Sequence, residues 1–273
     1  MFTLASQSVI LTGASAGIGQ ALALAMAPDR PRLVLAARNL ERLNNVAERC
    51  HALGAETLVV PTDVTDKDQC RALVDRTVER FGRIDVLVNN AGGAMWSRFD
   101  ELADPQPLAN VMRLNYLGSV YPTFYALPHL RSAKGRLVAM ASVAGLTGVP
   151  QLTGYSASKH AVIGFFESLR IELATSGVSV TIIAPDWVQS EILDRSLDAQ
   201  GRPLGHSPLE QNAMMATDRA AARIKRAIAR RERLVLMSAR SKTLGWGKQL
   251  FPWLVDRITA ASMAAMRARK PRQ

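Results

Sequence analysis

Cysteine and histidine are scarce, with two and four residues respectively in a chain of 273. Cys50 and Cys70 fall in segments patterned as helices, and no Cys/His spacing of the metal-binding kind includes them. That excludes a disulfide framework and leaves buried free thiols in a reducing compartment. No apolar run reaches the ~18 residues needed to span a bilayer. Residues 20–28, QALALAMAP, have the look of a signal-peptide core, but no Lys or Arg precedes Arg30 and the stretch follows a glycine-rich turn. Internal repeats and low-complexity stretches are absent. Acidic residues are missing where bases gather: residues 216–273 hold 15 Lys+Arg against 3 Asp+Glu, leaving 19 against 20 in the rest of a chain whose net charge is +11. Nucleic-acid binding is not expected from that tail, because its charges accompany an apolar stripe and no recognition motif.

What is present is a regular alternation, and 48% hydrophobic residues suffice to bury the core of one α/β domain. Strands are predicted at 8–12, 32–37, 56–60, 84–89, 136–141, 178–184 and 233–237, with helices at 17–27, 39–53, 66–81, 104–131, 153–176 and 217–231. The strands are near-continuous apolar runs, as expected when helices cover both faces of a parallel sheet. Strict alternation predicts a doubly wound α/β fold over residues 1–238. The connection at 186–216 is long enough to be a lid. A basic, Trp-containing extension occupies 239–273.

Between the first strand and helix stands TGASAGIG, residues 12–19. Gly13 permits the tight turn, Gly17 lets backbone approach a pyrophosphate, and Gly19 permits close packing of helix on strand. The helix N-terminus offers N–H groups to phosphate. The same letters contain G-A-S-A-G, the pattern of a serine nucleophile elbow. A hydrolase of that kind needs an oxyanion donor from an earlier strand–helix loop, and twelve residues leave no room for one. At the end of the second strand, LAARN places Ala37 where an acid would hold a ribose 2′-hydroxyl, followed by Arg38. A guanidinium there suits a 2′-phosphate and points to NADP(H), with Ser15 and Asn39 as further donors.

YSASK, residues 155–159, sets a phenol one helical turn from an ammonium with only small side chains between. A fixed cation lowers a phenol's pKa by roughly 1–3 units, making Tyr155 usable as an acid/base near neutrality. The motifs TGASAGIG, Asp63-Val64, NNAG (89–92), Asn115, Ser142 and YSASK stand in an order that resembles the short-chain dehydrogenase/reductase family, over nearly the whole chain to about residue 238. The NADP(H)-preferring branch with hydroxysteroid- and retinol-type dehydrogenases is the nearest in pattern.

That resemblance implies a Rossmann-like, seven-stranded parallel sheet with helices on both faces, followed by a C-terminal helical extension. It implies that Asp63 bonds the adenine amino group beside Val64, that Asn89, Asn90, Ala91 and Gly92 end the fourth strand at the adenosine ribose, and that Ile18 joins the glycine turn. Asn115 would anchor a proton-feeding water through its backbone, Ser142 would bond the substrate oxygen, Tyr155 would transfer the proton, and Lys159 would lower its pKa while holding the nicotinamide ribose. Pro185, Val188 and Ser190 would hold the carboxamide. Two departures stand out: Asp186 where the family often has glycine, and Ala16 where NADP-using relatives often have a base.

Met95, Trp96, Val143, Leu146, Leu152, Trp187, Ile192 and Leu193 are candidate pocket residues, suggesting a bulky apolar alcohol or ketone. A nucleotide sensor without turnover is the alternative, against which the complete set Asn115, Ser142, Tyr155 and Lys159 argues. The expected setting is the cytoplasm, as a homodimer or homotetramer. The tail is read either as a cover for the pocket or a subunit contact, or as a peripheral membrane foot carried by Trp246, Phe251, Trp253 and their neighbouring cations.

Overall fold

A computed structural model describes residues 3–209, 214–238, 241, 248 and 250–268, the last seven as helical backbone. The chain runs β1 (Ser8–Thr12), α1 (Gly17–Met26), β2 (Arg32–Ala37), α2 (Leu40–Ala52), β3 (Glu56–Pro61), α3 (Lys67–Phe81) and β4 (Val86–Asn89). It continues through α4 (Gln106–Met112), α5 (Gly118–Ala133), β5 (Arg136–Met140), α6 (Thr153–Glu172), β6 (Ser179–Ala184), α7 (Thr217–Arg230), β7 (Leu234–Leu236) and α8 (Pro252–Ala268).

The seven strands form one sheet in the order β3-β2-β1-β4-β5-β6-β7, every pairing parallel. Side chains of a strand alternate between faces, and here both faces are buried. Val9, Leu11, Leu33, Leu35, Val86 and Val88 pack with Leu22, Met26, Leu43 and Ile224 from α1, α2 and α7. Ile10, Val34, Ala36 and Leu87 pack on the other face with Leu73, Leu130, Phe166 and Leu169 from α3, α5 and α6. This is the doubly wound, Rossmann-like arrangement expected. The strand order reverses between β1 and β4, and such a switch point opens a crevice at the C-terminal ends of the strands.

The 104–131 segment departs from expectation. It is not one helix: α4 and α5 are separated by a π-helical turn at Arg113–Leu117. An extra residue per turn is rare and is found most often at functional sites. Asn115 sits in that turn, fully buried. Cys50 and Cys70 are free and buried, and burial pushes their thiols up to about 11 and about 12, so both are inert near neutrality.

Candidate active site

The crevice contains a cavity of about 1160 Å³. Its floor is built by the two strand ends at the switch point. Gly13 has φ +64, and a Cβ there would lie 2.8 Å from the Ala91 Cα; a Cβ on Gly19 would lie 2.1 Å from the Gly13 carbonyl oxygen. Only glycine lets these segments approach so closely. Asn90 locks them together, its Nδ2 donating to the carbonyls of Thr12 and Gly13 at 2.9 and 3.2 Å. The backbone N–H groups of Asn90 and Ala91 both donate to Thr12 Oγ1 at 3.0 Å. The result is a bare backbone cradle opening at the N-terminus of α1, which suits a pyrophosphate.

Of the expected nucleotide residues, Gly13, Ser15, Gly17, Ile18, Gly19, Arg38, Asn39, Asp63, Val64, Asn90, Ala91, Gly92, Pro185, Val188 and Ser190 all line this one cavity. Arg38 is exposed at the end of β2. The Asn39 side-chain oxygen is already engaged, capping α2 by accepting from Arg42 N at 2.8 Å. One Asp63 oxygen accepts from the Thr65 backbone and hydroxyl at 2.9 and 2.8 Å, which aims the carboxylate.

At the other end lie Ser142, Tyr155 and Lys159. Ser142 follows β5 and caps a short turn, its Oγ accepting from Ala144 N at 3.2 Å and facing the Pro185 carbonyl at 3.5 Å. Tyr155 and Lys159 project from the first turns of α6, with Lys159 Nζ 5.7 Å from the centre of the Tyr155 ring. Lys159 is 5% exposed, and its Nζ donates to the Met140 carbonyl at 2.8 Å. Burial in this poorly solvated place lowers the Lys159 pKa from 10.5 to about 8.

Tyr155 corrects the expectation of a lowered phenol pKa. Burial raises it, and a hydrogen bond with Ser142 pulls in the opposite direction without prevailing.

Asn115 lies outside the cavity wall, but it is tied to it. Its Nδ2 donates to the Gly93 carbonyl at 2.9 Å and to Ser158 Oγ at 2.8 Å, while Gly93 N donates back to its Oδ1 at 2.9 Å. Ser158 in turn donates to the Tyr155 carbonyl at 2.7 Å. The side chain therefore fastens the β4 loop to the helical turn that carries Tyr155 and Lys159. Its backbone carbonyl accepts from Ser119 Oγ at 2.8 Å.

Val143, Leu152, Trp187, Ile192 and Leu193 line the cavity as expected, but Met95, Trp96 and Leu146 do not. Met95 is fully buried and bridges Leu197. Trp96 N donates to the Leu197 carbonyl at 2.8 Å, and its indole N–H donates to Gln151 Oε1 at 3.0 Å. The Trp96 ring lies 5.9 Å from Trp187, centre to centre. These two residues moor the lid and do not face the cavity. The sequence missed Val149, Met214, Met215, Arg42, Glu191, Arg195 and Thr259, all of which line it. The lid residues among them come from a segment with no periodic pattern to assign a facing side, and Thr259 belongs to the polar side of the tail's apolar stripe.

With this geometry in place, the match of residues 7–201 to the short chain dehydrogenase family profile settles the kinship. The chain belongs to the short chain dehydrogenase family. That family is one of oxidoreductases on a fold that binds a nicotinamide cofactor. An 11-beta-hydroxysteroid dehydrogenase of Pinus massoniana is 43% identical over 185 residues, covering 67% of this chain and 52% of that protein. The 11-beta-hydroxysteroid dehydrogenase A of Sesamum indicum is 36% identical over 261 residues, covering 92% of this chain and 74% of its own. The chain thus spans about half the length of the first relative. A short chain dehydrogenase/reductase of Burkholderia phymatum, solved in complex with NAD, superposes with a TM-score of 0.80 at 27% identity, covering 92% of this chain and 96% of that one. An alcohol dehydrogenase of the archaeon Thermococcus sibiricus shares the fold at a TM-score of 0.72 and 24% identity, over 85% and 96% of the two chains.

Proposed function

We propose that this short chain dehydrogenase transfers a hydride between NADP(H) and a bulky, apolar secondary alcohol or ketone, with Tyr155 as the general acid/base. The observation that carries the proposal is the meeting of Ser142, Tyr155 and Lys159 in the same cavity as the glycine cradle. A bound nicotinamide supplies or accepts the hydride. Ser142 holds the substrate oxygen, already paired with the Tyr155 hydroxyl. Tyr155 gives its proton to that oxygen in reduction and takes it back in oxidation. A phenol kept protonated by burial is primed for the first of these. Lys159, protonated below about pH 8, provides the positive charge that favours phenolate once the proton has left.

The Burkholderia phymatum neighbour holds NAD. The phosphorylated cofactor is favoured here by Arg38, exposed on the cavity rim at the end of β2 where the chain has no carboxylate. The hydroxysteroid dehydrogenase names of the plant relatives agree with a bulky apolar substrate, as does a wall of Val143, Val149, Leu152, Trp187, Leu193 and Met214. A serine hydrolase centred on Ser15 lacks its base, since no histidine lines the cavity among the described residues. Residues 1–238 form the proposed catalytic domain. The 239–273 extension adds a cover and a peripheral contact with an anionic membrane, on a cytoplasmic homodimer or homotetramer.

Tyr155→Phe keeps the ring and deletes the proton. The variant is expected to bind NADPH nearly as the wild type does and to lose turnover by ~10²–10⁴-fold, the contribution of a positioned acid. NADPH absorbance followed over a panel of apolar ketones supplies the readout. Retained turnover would remove Tyr155 from the chemistry.

A further inference from the structure

Arg42 carries no motif, yet it occupies a decisive place. It stands in the first turn of α2, fixed by the Asn39 cap. Its Nη1 reaches across the crevice to Glu191 Oε2 at 2.9 Å, on the lid. Glu191 is paired a second time with Arg195, one turn further along. Arg38, Arg42, Glu191 and Arg195 all line the cavity. The lid lies close to the cradle here, since a Cβ on Gly17 would sit 3.2 Å from the Ser190 Cβ. Both partners of the Arg42–Glu191 pair are about half exposed, at 47% and 49% of their side chains.

We propose that Arg42 is a second cation for the cofactor's 2′-phosphate beside Arg38, and that Glu191 holds that cation until the phosphate displaces it. The proposal rests on the NADP(H) assignment above. A phosphate monoester carries close to two charges and three acceptor oxygens at neutral pH, against one charge on a carboxylate. Arg42 therefore gains by exchanging partners. Glu191 is not stranded by the exchange, because Arg195 remains with it. One consequence is selectivity: Arg42 strengthens binding of a 2′-phosphorylated nucleotide and is indifferent to one with a free 2′-hydroxyl. The other is mechanical. The phosphorylated cofactor unties the lid from α2 as it binds, whereas the unphosphorylated one leaves the tie in place.

The test is equilibrium binding to the full-length protein. NADP⁺, NAD⁺, 2′,5′-ADP and 5′-AMP are titrated into wild type, Arg42→Gln and Glu191→Gln at fixed salt. Arg42→Gln is expected to weaken NADP⁺ and 2′,5′-ADP about tenfold, the size of one charge-assisted hydrogen bond, with NAD⁺ and 5′-AMP unchanged. Glu191→Gln removes the competitor and is expected to tighten NADP⁺ and 2′,5′-ADP roughly two- to fivefold, as befits an exposed pair. Equal losses for both nucleotide types, no loss for either, or weaker NADP⁺ binding in Glu191→Gln would overturn the proposal. Arg38→Asp serves as the control for the underlying assignment. If the wild type binds NAD⁺ as tightly as NADP⁺ and Arg38→Asp changes nothing, NADP(H) specificity itself is wrong. If Arg38→Asp abolishes NADP⁺ preference while Arg42→Gln is silent, only the role of Arg42 falls.

Discussion

Lys159 shows how a single residue can be made both costly and useful. The residue is 5% exposed, its amine donates to the Met140 carbonyl, and burial brings its pKa to about 8. In the unfolded chain a lysine titrates near 10.4. Between those values the unfolded chain binds more protons than the folded one, so stability rises with pH. The penalty of holding an ammonium in this pocket is absent above the higher value and fully developed below the lower, and amounts to about 3 kcal/mol. Lys159→Met lacks it. The unfolding free energy of wild type relative to Lys159→Met is therefore expected to climb from pH 8 to pH 10.5, in urea melts at matched salt. A flat difference would mean that the amine is better solvated than its surroundings imply. Tyr155 faces the same desolvation with the opposite consequence, since burial favours a neutral phenol. The spacing of YSASK predicted who would meet whom, and it did not reveal which of two opposing effects would win. Burial depth is a property of the whole crevice and has no signature in five letters.

At the scale of elements, the strands were the most legible part. β1 and β2 coincide with their apolar runs because both faces of the sheet are covered, whereas β4 starts two residues later than expected and β7 is one residue shorter at each end. The break between α4 and α5 was not legible. The apolar pattern carries through 104–131, and what opens the turn at Arg113–Leu117 accompanies contacts made far along the chain, from Asn115 to Gly93 and Ser158. Met95 and Trp96 were misplaced for a similar reason: their partner Leu197 lies about a hundred residues away, on the lid. Asn115→Ala tests the π turn as a fastening. It leaves the part-buried Gly93 N–H and carbonyl without their side-chain partner, at a cost of about 1 kcal/mol for each lost hydrogen bond. The variant is expected to unfold at lower denaturant than wild type. Asn115→Asp, which still accepts from Gly93 N, should fall between the two. Equal stability of all three would show that the turn is held by packing alone.

Across the whole molecule, charge and apolar surface are segregated in the same direction. Residues 239–273 carry eight Lys or Arg and one acid, Asp256. Helix α8 presents two faces. Val255 is 5% exposed and Thr259 lines the cavity, so one face packs against the site. Phe251, Trp253, Leu254 and Ile258 are 54%, 61%, 42% and 47% exposed, with Leu250 at 69% beside them. So much large apolar surface on one short segment needs a partner. A second copy meeting the first here would bring together two segments of the same net positive charge. An anionic bilayer instead accepts the aromatic and aliphatic side chains and attracts the bases, each cation adding about 1 kcal/mol near such a surface. Among the described residues no helix is long and apolar enough to cross a membrane, so the contact proposed is peripheral. Truncation after residue 240 removes cover and foot together, whereas Trp253→Glu with Ile258→Glu alters only the outward face. Full-length protein is expected to sediment with anionic liposomes at physiological salt. Both variants should stay in the supernatant. The double substitution should keep full turnover of a water-soluble ketone, and the truncation should lose affinity for apolar ketones because the cavity has lost its roof. Full-length protein that ignores the liposomes would end the membrane assignment and leave α8 as a cover alone.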